Sequence, residues 1–167
     1  MEPQSFTSTY SGIVDRLITD CGICQAYIPN PNIPHPKIET FRALWDTGAS
    51  RSTISPNVVR KLGLQHTGFA KVFHAKGEAD TKVYKVNIIL LNGTGHTAMD
   101  VLEGDLHNFD VLIGMDIISR GDFSITHQGN RTIFSFQTPS THNIDFVEEQ
   151  KRQQALAQAS EEFKKKL

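Results

Sequence analysis

The sequence predicts a mostly β domain with short helices and a helical C-terminal tail. Alternating and β-branched apolar segments recur from Gly12 to Phe136. Turn residues interrupt them at short intervals, and after Thr138 the composition shifts to Gln, Ala, Glu and Lys. We expect one domain over residues 1–138 and a charged tail, helical or partly disordered, over residues 139–167. A chain of 167 residues, 38% of them apolar, is long enough to bury a real core.

The elements follow in order. "GIVDRLITDCGICQAYI" (Gly12–Ile28) reads as strand, with turn signals at Asp20 and Gly22. "PNPNIPHP" holds four of the seven prolines and reads as an extended loop. "KIETFRALW" (Lys37–Trp45) returns as a strand that stops at Asp46. A short helix follows, with Ser55 as cap, Pro56 at the first helical position and Gly63 as stop. Strands are expected over Phe69–His74 and Thr81–Leu91, joined by "AKGEAD" with Gly77 at the centre of a hairpin tip. "NGTGH" is a turn leading into the strand "TAMDVL". Val111–Ile113 reads as a buried strand, Asp116 as the cap of a short helix, and Gly121 as its end. Phe123–Phe136 has hairpin composition. In the tail, Asp145 and Glu148 form a capping-box pattern.

Several functions find no support. A net charge of −1 gives no electrostatic reason to expect nucleic acid or an anionic membrane as partner. "VNIILL" is interrupted by Asn87, so no apolar run is long enough for a membrane-spanning helix. "MEPQSFTSTY" has neither a basic nor an apolar leader region, which makes the cytoplasm the expected location. Cys21 and Cys24 form a single CxxC, short of a four-ligand zinc site, and no HxxxH or HxH accompanies it. They read as buried strand thiols. A thiol or metal protein built on them is the alternative, and it predicts bound metal or a redox-dependent shift in migration. "GTG" (Gly93–Gly95) lacks the Lys-Ser/Thr of a phosphate loop. No metal and no other cofactor is expected.

The chemistry concentrates in "ALWDTGAS" (Ala43–Ser50). An apolar strand ends on a carboxylate, Asp46, followed by a hydroxyl at Thr47 and by Gly48, which permits close backbone approach. Alone, Asp46 could do no more than close an Asx-turn. Further along, "DVLIGMDIISRGD" closes a buried run at Gly114, with a polar hairpin between the two motifs.

This order resembles the retropepsin-like aspartic proteases: an apolar pair before DTGA[ST], a flap hairpin, then an apolar pair before glycine and a short helix. The resemblance spans Gly12 to Phe136 and implies a closed, mostly β acid-protease barrel. It implies an aspartic endopeptidase in which two carboxylates share a proton, one activating water while the other polarises the scissile carbonyl. The chain contains a single D-T-G. The resemblance therefore implies a homodimer with one Asp46 from each copy, an extended peptide or protein as substrate, and a bell-shaped, acidic pH profile.

Position by position, Asp46 matches the catalytic aspartate. Thr47, Gly48 and Ala49 match the loop that braces it, with the Thr47 hydroxyl bonding across the dimer and the Gly48 carbonyl receiving substrate backbone. His74, Ala75, Lys76, Gly77 and Glu78 match the flap, although "HAKGE" lacks the Gly-rich tip of many viral flaps. Val111, Leu112, Ile113 and Gly114 match the segment supporting the loop from behind.

Viral relatives often carry an acid after DTGA and an arginine after the second glycine. Here Arg51 and Asp116 stand in exchanged places, and we expect either that they pair or that Arg51 is solvated while Asp116 caps its helix. Viral proteases dimerise through short terminal strands. The hairpin Phe123–Phe136 is more like that of the DNA-damage-inducible relatives of eukaryotes. Ile125, Ile133, Phe134 and Phe136 are expected to build the dimer interface, unless the hairpin packs on its own domain. The alternative function is a peptide-binding module of the same fold that does not cleave.

Overall fold

In the computed structural model, which describes residues 2–28, 30–74 and 77–165, one sheet curls until its first strand pairs with its last but one. Its strands are β2 (Leu17–Gln25), β3 (Glu39–Trp45), β4 (Thr53–Ile54), β5 (Gly68–His74), β6 (Gly77–Ile89), β7 (Gly95–Glu103) and β8 (Val111–Ile113). The order is β2-β3-β8-β4-β7-β6-β5. A further antiparallel pairing of β2 with β6, from Gly22↔Ile89 to Gln25↔Val86, closes the first six strands into a ring. Alternation explains what fills it: Phe41, Ala43 and Trp45 of β3 are buried while Arg42 and Leu44 point to the other face. Ile23, Ile54, Val86, Val101, Val111 and Ile113 complete the interior.

A second, three-stranded sheet is ordered β1-β10-β9, with β1 spanning Gln4–Thr9, β9 Asp122–Thr126 and β10 Ile133–Thr138. Here Phe134 and Phe136 are fully buried within their own chain. The Phe134 ring lies 5.0 Å from Trp45, 5.1 Å from Phe123 and 5.6 Å edge-on from Phe6. The indole N–H of Trp45 donates to Thr19 Oγ1 at 2.9 Å, so the buried polar end is satisfied. This corrects the expectation that Phe134 and Phe136 build a dimer interface: β1 and the barrel already cover them. Ile133 is half-buried, and Ile125 is exposed on β9.

The helix α1 (Pro56–Leu62) has the predicted punctuation. Ser55 accepts from the Val58 N–H, Pro56 opens the helix, and Gly63 ends it in the left-handed conformation at φ 62°. Other signals mislead. Asp20 and Gly22 lie inside β2 rather than in turns; a Cβ at Gly22 would stand 2.7 Å from Ile38 Cγ2, so the glycine serves close packing. The helix α2 (Met115–Ile118) is capped by Gly114 without a side-chain bond, so Asp116 is not its cap, and Ser119 rather than Gly121 closes it. The flap-like hairpin is longer than expected, because β6 already begins at Gly77. That glycine opens a strand paired with His74 instead of centring the tip. Ala75 and Lys76 lie outside the described residues. Both cysteines are free and buried, and burial pushes the Cys21 thiol up to about 12.

Past β10 the chain turns on Asp122. Its carboxylate accepts from the Thr141 and His142 amides at 2.9 and 3.0 Å and from the Ser140 hydroxyl, and His142 Nδ1 lies 2.9 Å away. These bonds, the Ser140 hydroxyl first, hold the Asp122 carboxyl well below the usual carboxylate range. A depressed folded-state value means the contacts stabilise fully above about pH 4 and are lost as pH falls through the lower, folded value. Asp122→Ala should therefore raise hydrogen exchange at the Thr141 and His142 amides at neutral pH, whereas the wild type does so only in strong acid. The final helix, α3 (Phe146–Lys165), starts at Asp145, whose Oδ1 accepts from the Val147 and Glu148 amides. It is exposed over residues 146–160.

Candidate active site

Two strands from distant parts of the sequence bring the two motifs together. β3 and β8 run parallel in register, with Ala43↔Val111, Leu44↔Leu112 and Trp45↔Ile113. Asp46 is the first residue past β3, and its N–H donates to the Ile113 carbonyl at 3.0 Å. The chain then turns. Gly48 N–H donates to Asp46 Oδ1 at 2.8 Å, and Ala49 N–H donates to the Asp46 carbonyl at 3.3 Å. A Cβ on Gly48 would stand 3.1 Å from that carboxylate oxygen, so a side chain here would crowd the group the amide orients. The Asx-turn is thus present, and it holds the carboxylate through Oδ1. Oδ2 makes no hydrogen bond among the described residues.

Asp46 is half-buried, with Thr47 and Gly48 exposed beside it and Ala49 half-buried. Asp46 and Thr47 line a cleft of about 320 Å³ together with apolar Leu17, Leu44, Trp45 and Ile125 and charged Asp15 and Arg16. Apolar and polar side chains together suit a peptide ligand.

Gly114 braces the loop from behind. Its N–H donates to Ser52 Oγ at 3.1 Å, and a Cβ at Gly114 would stand 2.7 Å from the Arg51 carbonyl carbon and 2.9 Å from Ala49 O. Only glycine lets the two loops approach this closely. Met115 N–H donates to Ala49 O at 2.8 Å. Val111 and Ile113 are fully buried and Leu112 half-buried, so this segment is packing and backbone support.

Ser52 is the residue that sequence reasoning missed. It is fully buried; its hydroxyl donates to Asp116 Oδ1 at 2.7 Å, and its N–H donates to Asp116 Oδ2 at 3.0 Å. The Asp116 carboxylate is therefore committed to Ser52. Arg51 is exposed and makes no ion pair among the described residues, which removes the expected Arg51–Asp116 pair. Nothing in "SRS" marks Ser52 as special; the signal exists only once Asp116 is known to face it. Ser52→Ala should cost about 1–3 kcal/mol, because the Gly114 amide and Asp116 lose their buried partner. A denaturant midpoint measured against wild type checks this.

Of the flap residues, His74 ends β5, Gly77 begins β6, and exposed Glu78 pairs with Lys71 at 3.4 Å. Lower on the hairpin, the cross-strand pair Val72 and Ala79 faces a cavity of about 300 Å³ shared with Thr53 and Leu102. Among the described residues, no three His, Cys, Asp or Glu side chains gather as a metal site would require.

Residues 37–120, which include both motifs and the hairpin between them, match the family model described as gag-polyprotein putative aspartyl protease. The chain belongs to this family. That assignment accords with the mostly β, retropepsin-like architecture. Two solved structures similar to this gag-type aspartyl protease chain are a retropepsin-like aspartic protease from Rickettsia conorii and EIAV protease complexed with the inhibitor HBY-793. The first is 15% identical, covers 82% of this chain and 96% of its own, and has a TM-score of 0.47. The second is 18% identical, covers 63% and 86%, and has a TM-score of 0.46. No curated protein matches the sequence. Among the described residues, no helix is long and apolar enough to cross a membrane.

Proposed function

We propose that the protein is an aspartic endopeptidase that acts as a homodimer, with one Asp46 contributed by each copy. The observation that carries this reading is the one D-T-G carboxylate of each chain, Asp46, oriented through one oxygen by the Gly48 amide and lining a cleft of mixed apolar and charged residues. One such group can hold water as a base, but polarising the carbonyl needs a second acid opposite it. A two-fold axis beside the Asp46–Thr47 loop supplies that acid without any further motif in the sequence. In the dimer, exposed Thr47 reaches the partner loop, and the Gly48 carbonyl receives the substrate backbone. The hairpin carrying His74 to Glu78 closes over the peptide and excludes water. The working unit is residues 1–138, with residues 139–167 an appendage.

The test is a digest of a denatured-protein or peptide library across acid to neutral pH, repeated over a dilution series. Cleavage per unit protein should rise with concentration and then level off, in step with the dimer fraction seen by sedimentation. Cleavage that stays constant per chain while sedimentation reports only monomer would remove the shared site. If the pure dimer holds peptides and leaves them whole at every pH, the binding-module reading replaces this one.

A further inference from the structure

Beside the Asp46 cleft lies a larger cavity that the proposed chemistry leaves unused. It is open to solvent, has a volume of about 550 Å³, and is lined by Tyr10, Asp15, Arg16, Ile18, Arg42 and Phe109. Asp15 and Arg16 also line the Asp46 cleft, so the two spaces share a wall. β3 runs along both. Arg42, Leu44 and Asp46 follow at alternate positions, which puts Arg42 and Leu44 on one strand face leading to the carboxylate. Leu44 lines the first cleft and Arg42 the second.

The cavity has a specific arrangement of charge. The guanidinium carbons of Arg16 and Arg42 stand 5.9 and 5.8 Å from the centroid of the same ring, Phe109. Both lie at the outer limit of cation–π reach, which favours a cation near the ring and leaves the N–H groups free to donate. The walls are fixed by backbone bonds. Tyr10 OH donates to Ile18 O at 2.8 Å and accepts from Ile18 N–H at 2.9 Å, and Asp110 N–H donates to Arg42 O at 3.1 Å.

Three carboxylates lie near. Asp15 reaches Arg16 Nε at 3.8 Å but is 89% exposed, Asp110 accepts from Asn57, and Asp20 sits opposite Arg42 across the strand pair. Arg42 has no carboxylate within ion-pair distance among the described residues. Among the described residues no carboxylate lies closer than 3.8 Å to either guanidinium, so both keep N–H donors that an incoming carboxylate can engage.

We propose that Arg16 and Arg42, held against Phe109, form a subsite for an acidic side chain of the peptide substrate. Arg42 lies four residue steps before Asp46, about 13 Å along the strand, so an extended peptide running alongside β3 would place its Asp or Glu roughly four positions from the cut. The inference rests on the peptidase reading and adds a substrate preference to it.

The experiment is cleavage of a proteome-derived peptide library by the full-length protein, with new ends read by mass spectrometry. Wild type, Arg42→Ala, Arg42→Lys and Arg16→Ala/Arg42→Ala are compared, with Asp46→Asn as blank. Wild-type sites should be enriched about tenfold for Asp or Glu three to five residues from the cut, as expected for one charge-assisted contact. Arg42→Ala should lose the enrichment and Arg42→Lys retain part of it. For a matched Glu and Gln peptide pair, the loss should appear as a raised KM for the Glu peptide with kcat little changed. Added salt should weaken the preference. Cleavage without enrichment, or enrichment that survives the double variant, overturns the subsite and leaves the peptidase reading intact. Absence of any cleavage beyond the Asp46→Asn blank overturns that reading, and the subsite with it.

Discussion

Asp46→Asn is expected to abolish peptide cleavage, by about 10³-fold or more, while leaving the fold in place. The substitution is nearly isosteric. The Asn oxygen can still accept the Gly48 N–H that Asp46 Oδ1 accepts at 2.8 Å, and the backbone bond from residue 46 to Ile113 is unaffected. What disappears is the capacity to take a proton from water and to share one with a partner acid. The thermal midpoint should therefore stay close to wild type while the rate falls to background, and a pepstatin-type transition-state analogue should lose most of its affinity. Cleavage that persists at the wild-type rate in the Asn variant would end the mechanism, because no other carboxylate stands on that loop.

The largest stability loss should come from Phe134→Ala, about 3–5 kcal/mol. The ring is fully buried at the junction of the two sheets, touching Phe6, Trp45 and Phe123. Truncation leaves a cavity that neighbouring rings, themselves fixed in tilted and edge-on contacts, cannot easily fill. Phe134→Leu should cost markedly less, because most of the volume remains. The readout separates core from interface: a core residue lowers the guanidinium midpoint at fixed protein concentration, whereas an interface residue raises the dimer dissociation constant and spares the subunit. We expect the first pattern for Phe134 and Phe136, and the second for exposed Ile125 beside the Asp46 cleft.

Local signals made parts of this protein legible in advance. The helix α1 could be placed because Ser55, Pro56 and Gly63 act within one turn of themselves. The D-T-G loop and the buried Val111–Gly114 run were visible for the same reason, since turn chemistry and apolar continuity are short-range properties. The features that escaped depend on partners far along the chain. β1 carries the polar string "QSFTST" and becomes a strand through its register with β10, Gln4↔Thr138 to Thr9↔Ile133. Ser52 and Asp116 are unremarkable until β4 and β8 bring them together. Asp20 and Gly22 have turn chemistry, but antiparallel pairing to both β3 and β6 holds Gly22 in extended backbone. In each case tertiary pairing outweighed local preference.

β10 sits between β1 and β9, so the opening residues of the protein shield one flank of its most aromatic strand. Trimming the chain ahead of Ser11, a natural economy when preparing a protease for crystals, would bare a row of amide and carbonyl groups beside Phe134 and Phe136. Neighbouring molecules would be recruited along that flank. A shortened preparation should accordingly precipitate or form large, inactive assemblies, and its failure to cleave would then say nothing about Asp46.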